Sequence, residues 1–555
     1  MTFSSLLSYL TPHRRVLLAV ILLMLAGSAA SLAQPWLAGQ LTSTLLEEPD
    51  TWGASYILTF WLGLLITRSG LDFVSQYYIG STGESLTANL RSRLFQHLQA
   101  LPIGYYQDRR RGDVLAMLSN DADHISDFVT HTLVQLLPLL LTFVGAFIAM
   151  FWLDPVIALL AMVLLPVYFL VMKVVGRRIR PLSKAWIDAY SNLVSFLEEH
   201  LAMLGAVKSF VREPIEAKLF ETKNSHLLSL SKQQLLIQSL LSPAVGLLAG
   251  LGLLLLLSLG TDRVANGQLS PGELVTLLLY AMLMSQPLRG LANVYGQIQQ
   301  TRGAAERILE FLGQQPETTD NGLPDLMRTK GDIRFENIDF TYPGGKPVFC
   351  GFDLHIRAGE TVALTGSNGA GKTTLSFLLM RMAEPEQGRI LIDGVDISKV
   401  NLASLRRQIG VVAQHTLLLN ATVAENIAYG LPLVDQTGIE SAARKAGAHE
   451  FILDLPQGYK TLIGDQGMKL SGGQRQRISL ARTLLTDPLI LIFDEATSML
   501  DHFGEAWFIG ECRKSLKEKT VIIITHRPAS LALAERSISL EPTGEEQDPS
   551  IEVTL

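Results

Sequence analysis

Six long apolar segments occur before about Leu312, at roughly Val16–Leu46, Trp52–Tyr78, Thr132–Leu153, Val156–Val175, Leu235–Leu259 and Leu274–Leu291. Each is near or above the about 20 residues that a helix needs to cross the hydrocarbon core of a bilayer, where backbone N–H and C=O groups must pair within the segment. A buried helix of a soluble protein is the alternative for any one of them, but six in succession argue for a membrane bundle. The last is interrupted by Pro287 and reads as a kinked span. The 48% hydrophobic content of the 555 residues is concentrated here, while the remainder has the mixed, charged texture of a soluble α/β domain.

The first span resembles a secretion signal only in part. Arg14 and Arg15 precede an apolar run that passes Ser31-Leu32-Ala33, yet the run continues through Trp36 and Leu37 toward Leu46, which is too long for a cleaved leader. An uncleaved first membrane helix is expected. Basic residues orient the bundle: Arg91, Arg93, Arg109, Arg110 and Arg111 lie between the second and third spans, and Arg177, Arg178, Arg180 and Lys184 between the fourth and fifth. The opposite connections, Glu47-Glu48-Pro49-Asp50 and Trp152-Leu153-Asp154-Pro155, are short or acidic. By the positive-inside rule the basic segments are cytoplasmic, and six spans place both termini there too. These segments, Gly80 to about Thr130 and Gly176 to about Gln234, are polar but helical in pattern, so the membrane helices are expected to continue roughly 30 Å below the bilayer. Within the second span, Arg68 and Asp72 share a helix face at i, i+4 spacing, either as a self-satisfied pair that fixes packing or as a contact for something that crosses.

Gln314 to Lys330, with Pro316, Gly322 and Pro324, reads as part of a linker over 313–330. Beyond it, Ile333–Phe340 alternates like a strand, and the apolar strand Thr361–Thr365 runs into Gly366-Ser367-Asn368-Gly369-Ala370-Gly371-Lys372-Thr373-Thr374 and then an apolar helix, Leu375–Met382. That is a P-loop in its strand–loop–helix setting: the glycines let backbone N–H groups cradle phosphate, Lys372 reaches the β and γ phosphates, and the Thr373 hydroxyl binds Mg2+. A second apolar strand, Leu489–Phe493, ends in Asp494-Glu495. An aspartate there can hold the metal, and a glutamate one residue later can polarise the attacking water. An isolated acidic pair at a strand end is often only a helix cap, but beside a P-loop that reading is minor.

Taken together, these residues resemble the nucleotide-binding domain of the ATP-binding cassette (ABC) transporter family. Leu470-Ser471-Gly472-Gly473-Gln474 is similar to the signature that separates the family from other P-loop ATPases. The resemblance implies ATP and Mg2+ as cofactors, with Tyr342 stacking on adenine and Glu495 and His526 as catalytic residues, His526 contacting the γ-phosphate. It also implies Gln414 as a metal ligand in the loop toward the membrane domain, and Asp501 beside the site. In the family the signature closes over ATP held by a second cassette. Physically, Ser471 and the N–H groups of Gly472 and Gly473 at a helix N-terminus make an anion cradle aimed outward. One P-loop and one signature per chain then require two chains, a second copy or a sister half-transporter, for two complete sites.

The membrane half carries the resemblance too: Leu101-Pro102, Tyr105-Tyr106, Arg111-Gly112-Asp113, Asn120-Asp121, Val207-Lys208-Ser209-Phe210 and Ala304-Ala305-Glu306-Arg307-Ile308 are similar to landmarks of the exporter type. The expected organisation is a six-helix membrane domain over 1–312 with long cytoplasmic extensions, fused through 313–330 to an α/β P-loop ATPase domain over 331–541, with an acidic tail at 542–555. Glu535 stands for the family's aspartate near the end of the cassette. The implied function is ATP-driven export of an amphipathic, drug-like or lipid-like substrate from a bacterial inner membrane by alternating access, with import through the same fold as the alternative. The net charge of -6 gives no support to nucleic acid as a partner, and Cys350 and Cys512 read as ordinary reduced thiols.

Overall fold

The computed structural model describes residues 14–46, 51–107, 111–317, 322–414, 416–431, 433–464, 467, 469–496, 510 and 518–541. The chain divides into two compact units, Met1–Phe95 with Gly112–Gly313, and Gln96–Arg111 with Gln314–Leu555.

The first unit is helical: α1 (Arg14–Leu46), α2 (Thr51–Ala100, whose last turn belongs to the second unit), α3 (Val134–Leu153), α4 (Pro155–Ala202), α5 (Glu213–Ala265), α6 (Pro271–Leu283) and α7 (Ser285–Leu312). Among the described residues, windows long and apolar enough to cross a membrane occur in Arg14–Leu46, Trp52–Ala100, Gly112–Leu153 and Gly246–Ala265, and Pro271–Leu283 is a shorter apolar helix. The segment read at Val156–Val175 lies inside α4. The segment read as a kinked sixth span is divided between α6 and α7 at Met284. Pro287 has no N–H for the Leu283 carbonyl, so the helical ladder breaks one turn before the proline. Helices α2, α4 and α5 run for 50, 48 and 53 residues. At about 1.5 Å per residue each is ~75 Å long, well beyond a bilayer, as the polar helical stretches predict. Two π-helical turns, Met117–Asp121 and Phe128–Leu133, interrupt the helical path into α3, and no local sequence signal announced them.

Helices α1 and α6 meet through glycines: a Cβ on Gly39 would lie 2.7 Å from the Gly272 carbonyl oxygen, and one on Gly272 would lie 2.4 Å from that of Gly39. Without a hydrophobic drive between helices in lipid, such close approach is what van der Waals packing needs. Nearby, the Tyr280 hydroxyl donates to the Leu32 carbonyl at 2.8 Å, and Tyr280 packs with Met150, Ile157, Leu256 and Leu277 in the buried core. At the α3–α4 connection, Asp154 is 2% exposed, caps α4 by accepting from the Val156 and Ile157 N–H groups, and pairs with Arg263 of α5 at 2.7 Å. The carboxylate thus ties the ends of three helices. Arg68 and Asp72 do pair, at 3.6 Å, and Arg68 also donates to Gln34 of α1 at 3.3 Å.

The second unit has an antiparallel sheet, β2-β1-β4-β5, built from β1 (Ile333–Thr341), β2 (Pro347–Ile356), β4 (Gln387–Ile392) and β5 (Val395–Asp396). A parallel sheet, β6-β7-β8-β3-β9, contains β3 (Thr361–Gly366), β6 (Ile409–Val412), β7 (Ile490–Asp494), β8 (Thr520–Ile524) and β9 (Arg536–Leu540). The strands β7 and β8 are continuous apolar runs because a parallel sheet is covered on both faces. Three helices matter for function: α8 (Lys372–Leu379) after β3, α9 (Leu402–Gln408) before β6, and α10 (Gly472–Leu485) before β7.

Candidate functional site

Parallel strands put all their carboxyl ends on one edge, and that edge is where open α/β sheets bind ligands. It brings together segments far apart in sequence: Gly366–Gly371 after β3, Gln414 after β6, Asp494-Glu495 at the end of β7, and Thr525-His526 after β8. The loop turns into α8 through Gly371 at φ +91°, where a Cβ would also sit 2.7 Å from the Phe349 ring. Only glycine fits there. Lys372 is 8% exposed, and its ammonium donates to the Gly366 and Ser367 carbonyls, both at 2.8 Å, so the cation stays paired inside the loop that it serves. Ser367, Asn368, Gly369 and Ala370 complete the loop.

The Thr373 hydroxyl donates to Asp494 Oδ2 at 3.2 Å. A hydroxyl and a carboxylate oxygen side by side are hard ligands of the kind that Mg2+ takes next to phosphate, and the pair fits that ion. Burial pushes the Asp494 carboxyl above the usual range, helped by the charge of Glu495, while the Thr373 hydrogen bond and Lys372 pull the other way. Glu495 occupies the left-handed region at φ +48°, rare for a residue with a side chain, and its N–H donates to the Ile524 carbonyl at 2.8 Å. That turn takes its carboxylate off the strand line to accept from Gln414 Nε2 at 2.5 Å, with His526 Nε2 at 3.9 Å. Tyr342 stands beside the same loop: its hydroxyl is 3.2 Å from Thr374 Oγ1 and its ring is edge-on to Phe340.

The signature forms the start of α10. Ser471 is the N-cap, its Oγ accepting from the Gln474 N–H at 3.2 Å while Gln474 Oε1 accepts from the Ser471 N–H at 2.9 Å, a reciprocal capping box. The exposed Ser471 hydroxyl keeps its proton to donate, and the N–H groups of Gly472 and Gly473 head the helix. Among the described residues, no hydrogen bond joins Ser471–Gln474 to Gly366–Thr374 of the same chain. Asp501 lies outside the described residues, as do Cys512 and 542–555; Cys350 is an exposed free thiol.

Two supports escaped sequence reasoning. The Lys372 contacts to its own loop depend on the loop's folded path. Gln476, 3% exposed on α10, reaches the Glu495 carbonyl at 3.4 Å and braces the strained turn from behind. Its place two residues after Gln474 is the one hint that the sequence contains.

The charge state of Asp494 gives a test. A carboxyl whose folded pKa is raised binds its proton more tightly folded than unfolded, so this group's contribution to stability falls as pH rises through the folded pKa. Asp494→Asn removes the buried charge. The nucleotide-free variant is expected to melt higher at neutral pH, with a flatter pH dependence of the melting temperature. An unchanged or lower melting temperature would refute the burial penalty.

The sequence matches the family models described as ABC transporter transmembrane region, over residues 17–288, and ABC transporter, over residues 349–498. It is 34% identical over 540 residues to an ATP-dependent lipid A-core flippase of Nitrosococcus oceani, covering 97% of this chain and 90% of that protein. It is 32% identical over 543 residues to the ABC multidrug transporter mdr2 of Aspergillus fumigatus, covering 96% of this chain and 68% of that protein. The fold matches the solved structure of a bacterial Atm1-family ABC exporter with ATP bound at a TM-score of 0.83, with 26% identity, over 96% of this chain and 94% of the other.

Proposed function

Because this chain belongs to the ABC transporter family, as a membrane exporter that hydrolyses ATP through a cassette following its helical membrane region, we propose that two copies form the working unit and move an amphipathic, lipid-like or drug-like molecule out of the cytoplasmic leaflet. The observation that carries the proposal is the carboxyl-end cluster in which Thr373 meets Asp494 and Glu495 meets Gln414 and His526. Relatives named as a lipid A-core flippase and a multidrug transporter support the cargo class. The clusters of basic residues between spans support an inner-membrane orientation with both termini in the cytoplasm.

Lys372 leaves the Gly366 and Ser367 carbonyls for the β and γ phosphates, a charge-for-dipole exchange that favours ATP. The Thr373 hydroxyl and the Asp494 carboxylate, with the Gln414 amide oxygen, would hold Mg2+, which would supply charge neutralisation at the phosphates. Glu495 accepts a proton from the attacking water, Gln414 keeps that carboxylate oriented, and His526 donates to the γ-phosphate. Tyr342 stacks on the base. The signature of the second copy, with Ser471 as donor, closes each site. ATP then shifts the membrane bundle because it binds the joined cassettes better than the separated ones.

The test is vectorial transport in liposomes carrying the protein with its cassettes outward and a fluorescent short-chain phospholipid in both leaflets. ATP with Mg2+ should move the probe from the cassette-side leaflet to the lumenal one, with turnover of roughly 1–10 s⁻¹, and a non-hydrolysable analogue should not sustain it. Net movement toward the cassettes would overturn export.

A further inference from the structure

The short connection after α7 does more than separate two domains. At its near end, the Glu317 carboxylate receives a forked pair of hydrogen bonds from Arg406 of α9, at 2.9 and 2.6 Å, and both side chains are largely buried, at 30% and 20% exposure for Arg406 and Glu317. The Glu317 N–H donates at 2.6 Å to the carbonyl of Ala100, the last residue of α2. Arg406 also donates to the carbonyls of Met380 and Arg381, at 3.1 and 3.2 Å. Met380 is the C-cap of α8, the helix that begins at the P-loop lysine, and Arg381 is the residue that turns the chain away from it; a helix leaves the C-cap carbonyl unpaired. Further along, the Leu326 N–H donates to Ser404 Oγ and the Asn401 N–H donates to the Pro324 carbonyl, so the connection is pinned to α9 again. The same α9 leads through β6 to Gln414.

One guanidinium therefore joins the end of the P-loop helix to a linker carboxylate whose own backbone holds the end of a 50-residue helix. We infer that Glu317 and Arg406 are positioning residues that couple the ATPase to α2 of the same chain: a shift of α8 or α9 on nucleotide binding is passed through this fork to Ala100 and along the helix. The planar fork suits the task because it resists rotation as well as separation, which a single point-charge contact does not.

The inference rests on the alternating-access reading above, and the test separates the two. Full-length protein in nanodiscs, with Cys350 and Cys512 replaced by Ser, is spin-labelled at Trp152→Cys, an 84% exposed position at the α3–α4 connection, or at Leu433→Cys, fully exposed on the cassette. Distances between the two copies are measured with and without ATP and vanadate. The unaltered pair should show ATP-induced changes at both positions. Glu317→Gln and Arg406→Lys should each keep the Leu433 change but lower the equilibrium constant of the Trp152 change by about tenfold. Variants that shift at Trp152 like the parent refute the coupling role alone. Variants that lose the change at both positions refute it too, because the pair then serves the nucleotide site or the fold. A parent whose Trp152 distance ignores ATP refutes alternating access itself.

Discussion

Glu495→Gln should lower ATP turnover by about 10²–10⁴-fold, the usual weight of a general base, while ATP affinity is kept. The substitution preserves shape: the new amide oxygen still accepts from Gln414, and the left-handed backbone at φ +48° is held by the N–H bond to Ile524 and by Gln476 rather than by the charge. Lys372, Thr373 and Asp494 are untouched, so binding and closure proceed and only proton transfer from water fails. The protein should therefore accumulate as a closed pair with two ATP molecules retained through gel filtration. Phosphate release near the wild-type rate would remove Glu495 from the role of base.

The second large effect concerns sharing. Lys372→Ala removes the cation that serves the phosphates, and Gly473→Asp places a carboxylate at the mouth of the signature cradle. That acid is favourable to α10 itself, since a negative charge at a helix N-terminus is stabilising, so the cap and the fold are kept while phosphate is repelled. Each variant alone should lose ATPase activity by about 10²-fold or more, on the scale of lost electrostatic transition-state contacts. Mixed before reconstitution, they should recover: in a mixed pair the intact P-loop of one chain meets the intact signature of the other, giving one good site. With random twofold pairing the mixture should reach about a quarter of wild-type activity. No recovery on mixing, despite pairing shown by cross-linking, would mean that each cassette completes its own site.

The backbone shapes of the candidate site were legible locally because they lie in short runs whose meaning depends on spacing. Glycines before Lys372-Thr373, an apolar run before Asp494-Glu495 and a capping pair at Ser471 and Gln474 each fix a backbone shape by themselves. Apolar length did the same for four of the six expected spans among the described residues, since lipid leaves the backbone no partner but itself. Element ends drifted by a few residues, as with the P-loop helix, which starts at Lys372 and ends at Leu379 rather than spanning Leu375–Met382. The kink expected at Pro287 became a break at Met284, next to the Leu283 carbonyl that the proline cannot serve.

Read locally, the chain shows where a phosphate-binding loop and a strand-end acidic pair fall and which helices are apolar enough for lipid. The tertiary structure alone decided who stands next to whom. The strand order β6-β7-β8-β3-β9 brings Gln414 and His526 to Glu495, and the path of the chain after α7 places Glu317 between Ala100 and Arg406. The turn formers at Pro316, Gly322 and Pro324 read as a loose linker because turn chemistry reports only local backbone shape. A half-buried carboxylate takes its role from a guanidinium 89 residues away, and no local window contains both.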